Sequence, residues 1–421
     1  MRRLTLARIL IVGGSGFIGR HIAGRLRDRG HEVNASSRVE IDLARDGEAQ
    51  LRDKLANFEV VINCAGLVRD VGANSMAAVH ADGASNLFRA CLAVGVTRLI
   101  HVSALGVESQ GETIYQRSKA VAEEQLAALD PDGARLDWRI LRPSLVVGRG
   151  GASTRWLLAA AVLPFLPSFG DDAWRFQPAH VSDLAEVAAR IAEGAPSPRR
   201  FNVVGPEPMT TDTLLALLRE WLGLKPARFF RVPYRLFLLA ASIGGRVTTG
   251  PLNREVVKLL SRGNVADCSP MTAALGRPPR YIRDALALEP ACGADRQAAR
   301  LFFLPPVLRW SLGLLWVATG FLSFGLYPQE KSYALLAEIG VHGALADFAL
   351  YGGAAVDLLL GVLLLLRWRP ALVGAAQLAT MLAFTIIAAR LPSDYWLHPF
   401  APLLKNLPIA AAILVMIALE S

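Results

Sequence analysis

Ile9-Leu10-Ile11-Val12 runs straight into Gly13-Gly14-Ser15-Gly16-Phe17-Ile18-Gly19, and an amphipathic segment follows from Arg20-His21-Ile22. A short apolar run reads as a buried strand, the glycines as a tight turn and the amphipathic segment as a helix. Few other features restrict a fold so sharply. Gly13 permits the turn, Gly16 lets the backbone approach a diphosphate, and Gly19 lets the helix pack closely on the strand. The helix N-terminus then offers unpaired N–H groups and a partial positive charge to phosphates. Strand, glycine turn and helix in that order predict a dinucleotide-binding βαβ unit.

The alternation continues. Ile9–Val12, Glu32–Ser36, Val60–Cys64, Leu99–Val102, Trp138–Leu141 and Phe201–Val204 read as strands, with helix-length segments between them. Such alternation implies a doubly wound parallel sheet of Rossmann type with helices on both faces. Three regions are expected in 421 residues: a nucleotide-binding domain over 1–205, a smaller, mostly helical cap and linker over 206–300, and a membrane domain over 301–421.

The last region differs in kind. Trp310 to Tyr327 and Pro370 to Ala389 carry no charge, and Phe348 to Leu366 is broken only by Asp357. Asn406 to Leu419 is shorter, with Leu403, Leu404 and a snorkelling Lys405 able to extend it. A spanning helix needs about 20 apolar residues, so a four-helix transmembrane bundle is expected. Trp310, Trp316, Tyr327, Trp368, Tyr395 and Trp396 fall mostly near the ends, as an interfacial belt requires. Arg367 and Arg369 assign the second connection to the cytoplasmic side, which puts both termini inside a bacterial-type inner membrane.

A net charge of +9 could signal nucleic acid, but the arginines are scattered with no interleaved aromatics. The surplus fits a membrane-facing protein, with no nucleic-acid partner. Cys64, Cys91, Cys268 and Cys292 lie far apart, and the seven histidines show no metal-ligand spacing. A reduced compartment and no metal are the plain readings.

Ser103 ends a strand at the carboxyl edge of the sheet, where open parallel sheets bind ligands. Tyr115 and Lys119 stand one helical turn apart and share a face. A phenol has an ordinary pKa near 10. A neighbouring ammonium, and a cofactor's positive nicotinamide ring, favour the phenolate and lower that value. Tyr115 is therefore the candidate general acid/base, Lys119 its tuner and a ribose ligand, and Ser103 the donor that orients a substrate oxygen.

These motifs carry a resemblance. Gly13 to Gly19, Asn63-Cys64-Ala65-Gly66, Val102-Ser103-Ala104-Leu105-Gly106, Tyr115-Gln116-Arg117-Ser118-Lys119 and Leu141-Arg142-Pro143-Ser144 resemble the extended or atypical short-chain dehydrogenase/reductases. His180-Val181-Ser182-Asp183-Leu184-Ala185 and Phe201-Asn202-Val203-Val204-Gly205 continue the match. The short Ser-to-Tyr interval is most similar to the nucleotide-binding accessory subunit of respiratory complex I and its bacterial relatives. Trp316-Val317-Ala318-Thr319-Gly320 and Pro402-Leu403-Leu404-Lys405-Asn406-Leu407-Pro408 resemble the DoxX-like membrane family. The resemblance implies a nicotinamide dinucleotide held by Gly13, Ser15, Gly16, Phe17, Ile18, Gly19, Arg38, Asp42, Leu43, Cys64, Ala65, Gly66, Tyr115, Lys119 and Pro143. One departure stands out: His80 occupies the position where the family usually has an asparagine of a proton relay. Histidine there implies either that it binds the relay water in the asparagine's place or that the relay is altered.

No acid ends the second strand; Asn34-Ala35-Ser36-Ser37-Arg38 leads instead to an arginine suited to a 2′-phosphate. NADP(H) is therefore expected over NAD(H). Asp357, in mid-span, should face the bundle interior, hydrogen-bonded to Thr319, Thr380 or Thr385, or touching a quinone headgroup or proton path. His101 is expected to be a packed strand residue. The reading is a membrane-anchored oxidoreductase acting on a small-molecule, lipid-like or quinone-like carbonyl or hydroxyl. A non-catalytic nucleotide-binding assembly protein of a membrane complex is the rival, and a sugar-nucleotide epimerase or dehydratase the third.

Overall fold

The computed structural model describes residues 6–70, 75–169, 174–247, 257–258, 263–389 and 403–420. The chain divides into two compact units, Met1–Ala299 and Arg300–Ser421.

In the first unit β1 (Arg8–Val12) buries Ile9, Leu10, Ile11 and Val12 completely, as a strand covered on both faces must. It leads through the glycine turn into α1 (Phe17–Asp28). β2 (Glu32–Ala35), β3 (Val60–Asn63), β4 (Arg98–Val102), β5 (Asp137–Pro143) and β9 (Arg200–Val203) complete the sheet. Its order is β2-β1-β3-β4-β5-β9, and every pairing is parallel. These are the six apolar runs read from the sequence. The short strands β6 (Val146–Val147), β7 (Leu166–Phe169), β8 (Ala179–His180) and β10 (Phe229–Val232) lie outside it, paired β6 with β8 and β7 with β10.

Helices cover both faces. α1 and α6 (Val181–Ala192) pack Ile22, Leu26, Leu184 and Ile191 on one side. α2 (Glu48–Leu55), α3 (Ala84–Val94) and α4 (Ile114–Leu129) pack Leu51, Phe88 and Leu126 on the other. A third cluster joins α5 (Ala152–Ala161) to α7 (Thr211–Trp221) through Leu157, Leu158, Leu214 and Leu218. Asp183, 1% exposed in its side chain, ties α6 to the later chain by accepting from the Arg277 and Arg280 guanidiniums and from the Arg280 amide.

Two local features set the site. α4 starts at a capping box: the Thr113 hydroxyl accepts from the Gln116 amide, and the Gln116 side chain accepts from the Thr113 amide. That cap fixes Tyr115 in the first turn, with Lys119 and Glu123 following at four-residue steps on one face. A π-helical turn over Ala78–Gly83 precedes α3. Gly83 is required there, because a Cβ would stand 2.0 Å from the Leu43 carbonyl oxygen.

The second unit is helical. One helix within Gly293–Leu326, then Ala344–Leu365 and Pro370–Ala388, are long and apolar enough to cross a membrane, among the described residues. A fourth apolar helix, Asn406–Glu420, has 15 residues, and at 1.5 Å per residue it falls short of a bilayer core of about 30 Å. Leu403, Leu404 and Lys405 form a turn before it instead of extending it. Small residues let the first two helices meet closely: a Cβ on Gly361 would stand 2.8 Å from the Val317 amide nitrogen. At one end of the bundle Glu420 binds both Arg309 and Arg367, and Arg309 is itself buried. Tyr395, Trp396 and Pro402 lie outside the described residues.

Candidate active site

Three backbone segments converge at the glycine turn. Gly13 has φ +74°, and a Cβ on it would stand 2.8 Å from the Ala65 amide nitrogen. A Cβ on Gly19 would stand 2.4 Å from the Gly13 carbonyl oxygen. No side chain fits either place, and the bare backbone leaves a cradle at the start of α1 that suits a diphosphate. The cleft above it, about 180 Å³, is lined by Gly13, Ser15, Gly16, Arg38, Asp42, Leu43, Cys64, Ala65 and Gly66, all read from the sequence. Ile41, Leu67 and Val79 add apolar walls that no motif announced. Gly19 serves helix packing. The Phe17 side chain turns away toward Gly148 and Gly151, so only its backbone remains at the cradle.

Arg38 lines this cleft and an adjoining concavity shared with Asp42 and Arg45. Its guanidinium lies 3.7 Å from the Asp42 carboxylate, and Arg45 lies 3.8 Å from the same group. Arg45 is the second cation of the pair, and the sequence reading passed over it.

A second cleft of about 220 Å³ brings Ser103, Tyr115, Pro143 and Ile18 together with Phe176 and Asn264. Asn264 is its only lining residue from 206–300, among the described residues. Lys119 lies deeper, 4% exposed, and its ammonium donates to the Val102 carbonyl at 3.0 Å. A Cβ on Gly66 would come 3.7 Å from the Lys119 Nζ and 3.4 Å from the His80 Nε2, so both nitrogens sit just beneath the Gly66 wall.

The electrostatics differ from the sequence expectation. Burial pushes the Tyr115 phenol up to about 12, and burial pulls the Lys119 ammonium down to about 8 against the opposing pull of Glu123. The lysine was expected to acidify the phenol. Desolvation outweighs it, because the ammonium is directed at the Val102 carbonyl and stands 5.7 Å from the centre of the tyrosine ring.

Ser103 also departs from its expected role. Its hydroxyl donates to the Glu123 carboxylate at 2.5 Å. Glu123 is 1% exposed, gripped by both sides of the Arg142 guanidinium and by Arg200 at 3.1 Å. The carboxylate oxygen accepts from the hydroxyl, so the serine proton is committed to it. What Ser103 offers elsewhere is its lone pairs. The repeat Tyr115, Lys119, Glu123 was the signal for this group.

His80 sits in the π-helical turn, its Nε2 accepting from the Leu67 amide at 2.8 Å and its Nδ1 facing the Ser118 hydroxyl at 3.0 Å. Burial and the Lys119 charge push it down to about 2, so it stays neutral. Its ring meets Tyr115 edge to face. His101 is packed in β4 against Phe88, with its Nδ1 accepting from the Asn63 amide.

In the second unit Asp357 and Gln377 are buried, and the Asp357 Oδ1 and both amide atoms of Gln377 have no hydrogen-bond partner among the described residues. Thr319 and Thr385, expected as partners of Asp357, donate instead to the carbonyls of Leu315 and Met381 in their own helices.

Comparison with known proteins fits this architecture. Residues 9–204 match the NAD dependent epimerase/dehydratase family, and residues 313–414 match the DoxX-like family. The chain thus joins an epimerase/dehydratase-like nucleotide-binding domain to a DoxX-like domain of membrane type. It is 26% identical over 252 residues to the mitochondrial NADH dehydrogenase (ubiquinone) 1 alpha subcomplex subunit 9 of Arabidopsis thaliana, covering 53% of this chain and 60% of that protein. It is 31% identical over 191 residues to the ceramide reductase of Caulobacter vibrioides, 42% of this chain and 58% of the relative. The match to sterol demethylase protein B of Methylococcus capsulatus is 27% over 320 residues, 66% of this chain and 95% of the relative. The chain thus spans about three fifths of the length of the first two. Among solved structures, a UDP-glucose-4-epimerase from Stenotrophomonas maltophila with bound NAD superposes with TM-score 0.52 at 19% identity, covering 70% of this chain and 98% of that one. That likeness concerns the fold alone.

Proposed function

We propose that this chain is a membrane-anchored, NAD(P)-dependent oxidoreductase of the short-chain dehydrogenase/reductase type, acting on a carbonyl or hydroxyl of a lipid-like substrate. One observation carries the reading: Ser103 and Tyr115 line a cleft beside the glycine cradle, at the carboxyl edge of the same sheet. A nicotinamide dinucleotide bound there supplies or accepts the hydride. Tyr115, protonated up to about pH 12, is set to give a proton to a substrate carbonyl oxygen as that carbon is reduced. Ser103, its own proton held by Glu123, accepts a hydrogen bond from the hydroxyl that results. Lys119, beneath the Gly66 wall, would be the residue to hold a ribose hydroxyl of that dinucleotide.

Two relatives bear the names ceramide reductase and sterol demethylase protein B, which supports a lipid-like substrate. The cation pair Arg38 and Arg45 supports NADP(H) over NAD(H). The bundle end that gathers Arg309 and Arg367 supports a cytoplasmic assignment for that face, and with it for the nucleotide-binding domain and the C-terminus, in a bacterial-type inner membrane.

The deciding experiment supplies the purified full chain with NADPH and long-chain keto-lipids. Wild type should oxidise the coenzyme, and Tyr115→Phe should lose about 10²–10⁴-fold in turnover with coenzyme binding intact. Coenzyme binding without turnover, indifferent to Tyr115→Phe, would instead support the assembly-protein reading, which the resemblance to a complex I subunit favours.

A further inference from the structure

Between Glu220 and Glu255 the sequence contains no acidic residue but carries Lys225, Arg228, Arg231, Arg235, Arg246 and Arg254. In the fold this stretch forms the outer strand β10 and the helix α8 (Tyr234–Val247). α8 is apolar on two opposite sides. Phe237 and Ala241 point inward, fully buried against Trp156, Trp174 and Val232. Leu236 and Leu239 lie on the outer face beside Arg235 and are 57% and 55% exposed. Phe229 and Phe230 on β10 are also exposed, as are the four cations from Lys225 to Arg235, none of which forms an ion pair among the described residues.

A helix that feeds a core needs one apolar side; a second, flanked by cations, requires another medium. Large exposed leucines among exposed lysine and arginine are the chemistry of an interfacial segment, whose apolar groups enter the acyl boundary while its cations meet anionic headgroups. The same chain carries helices long and apolar enough to span a bilayer, so a lipid surface is always at hand.

We propose that the α8 outer face of the nucleotide-binding unit is a bilayer-docking surface, with Leu236 and Leu239 entering the interface of an anionic membrane and Arg235, together with Arg228 and Arg231 of the adjoining strand segment, binding its headgroups. The occupant is lipid. The proposal stands whether or not the clefts turn over a substrate.

The test uses the full chain, one molecule per nanodisc, with Cys64→Ser, Cys268→Ser and Cys292→Ser to remove the thiols outside the buried class. An environment-sensitive fluorophore is attached at Leu239→Cys, or at Arg52→Cys on exposed α2 as a control. In discs containing phosphatidylglycerol, the label at 239 should shift to shorter wavelength. It should be quenched several-fold more by shallow nitroxide-bearing lipid than the label at 52, and several-fold less by iodide. High salt, zwitterionic discs, or Arg228→Gln with Arg231→Gln and Arg235→Gln should weaken that pattern. Equal iodide quenching at 239 and 52 would overturn the proposal. So would a label at 239 shielded from both quenchers, which would mean that protein covers the face.

Discussion

Lys119 offers the sharpest test of the site's electrostatics. Its ammonium is 4% exposed and titrates near 8 in the folded chain, against an ordinary lysine value of 10.5. Between those values the unfolded chain holds more protons than the folded one, so the folded state gains stability as pH rises through that window. Below pH 8 the penalty of the buried ammonium is fully present. Integrated from pH 7 to pH 10, the gain is about 2–3 kcal/mol, or on the order of fiftyfold in the opening equilibrium. Tyr115 acts in the opposite direction from about pH 10, and the buried thiols of Cys64 and Cys91 do so from about pH 9, but all three are shared by wild type and Lys119→Met and drop out of their ratio. Cys91, free and fully buried on α3, reports opening of this unit alone. The measurement is the rate of Cys91 modification by a thiol reagent from pH 7 to 10, as the ratio of wild type to Lys119→Met. The ratio cancels the thiol's own titration, and it should fall on the order of fiftyfold across the range. A flat ratio would refute the argument, because an ammonium that titrates normally is not desolvated as the geometry requires.

Other outcomes follow from single contacts. Arg38→Ala should weaken NADP(H) binding about 10–100-fold while leaving NAD(H) nearly unchanged, because a charge-assisted hydrogen bond is worth about 1.5–3 kcal/mol; titration with both coenzymes reads this. Glu123→Ala should cost about 1.5–3 kcal/mol by removing the charge-assisted hydrogen bonds to Arg142 and the acceptor of Ser103, visible as faster Cys91 modification. Gly83→Ala should cost about 1–3 kcal/mol or more, since the new Cβ would meet the Leu43 carbonyl at 2.0 Å, and it should also weaken coenzyme binding through the Leu43 wall.

Much of the fold was legible because its signals are local. The glycine turn, the six apolar runs and the long uncharged helices each declare themselves within a short window of sequence. The carboxyl-edge position of Ser103 and the shared face of Tyr115 and Lys119 followed from strand and helix periodicity. Where the proton of Ser103 goes did not, because it depends on a carboxylate twenty residues away and on arginines from two further strands. The lysine's share in the phenol's acidity was overread for a related reason. Spacing reveals that an ammonium is near, but burial decides which influence prevails, and burial is a property of the packed molecule. Arg45 and Asn264 belong to no motif; only the folded walls of the clefts bring them in.

The grip of Glu420 on Arg309 and Arg367 has a mechanical consequence. One carboxylate fastens the start of the first apolar helix, the end of the second and the end of the fourth at a common level. None of the three can slide or roll without dragging the others or stranding a guanidinium away from its counter-ion. A residue inserted into the second or the fourth of these helices would swing its downstream half by about a third of a turn and open the latch. The vertical register of the bundle is thus keyed by a single acidic side chain at its rim.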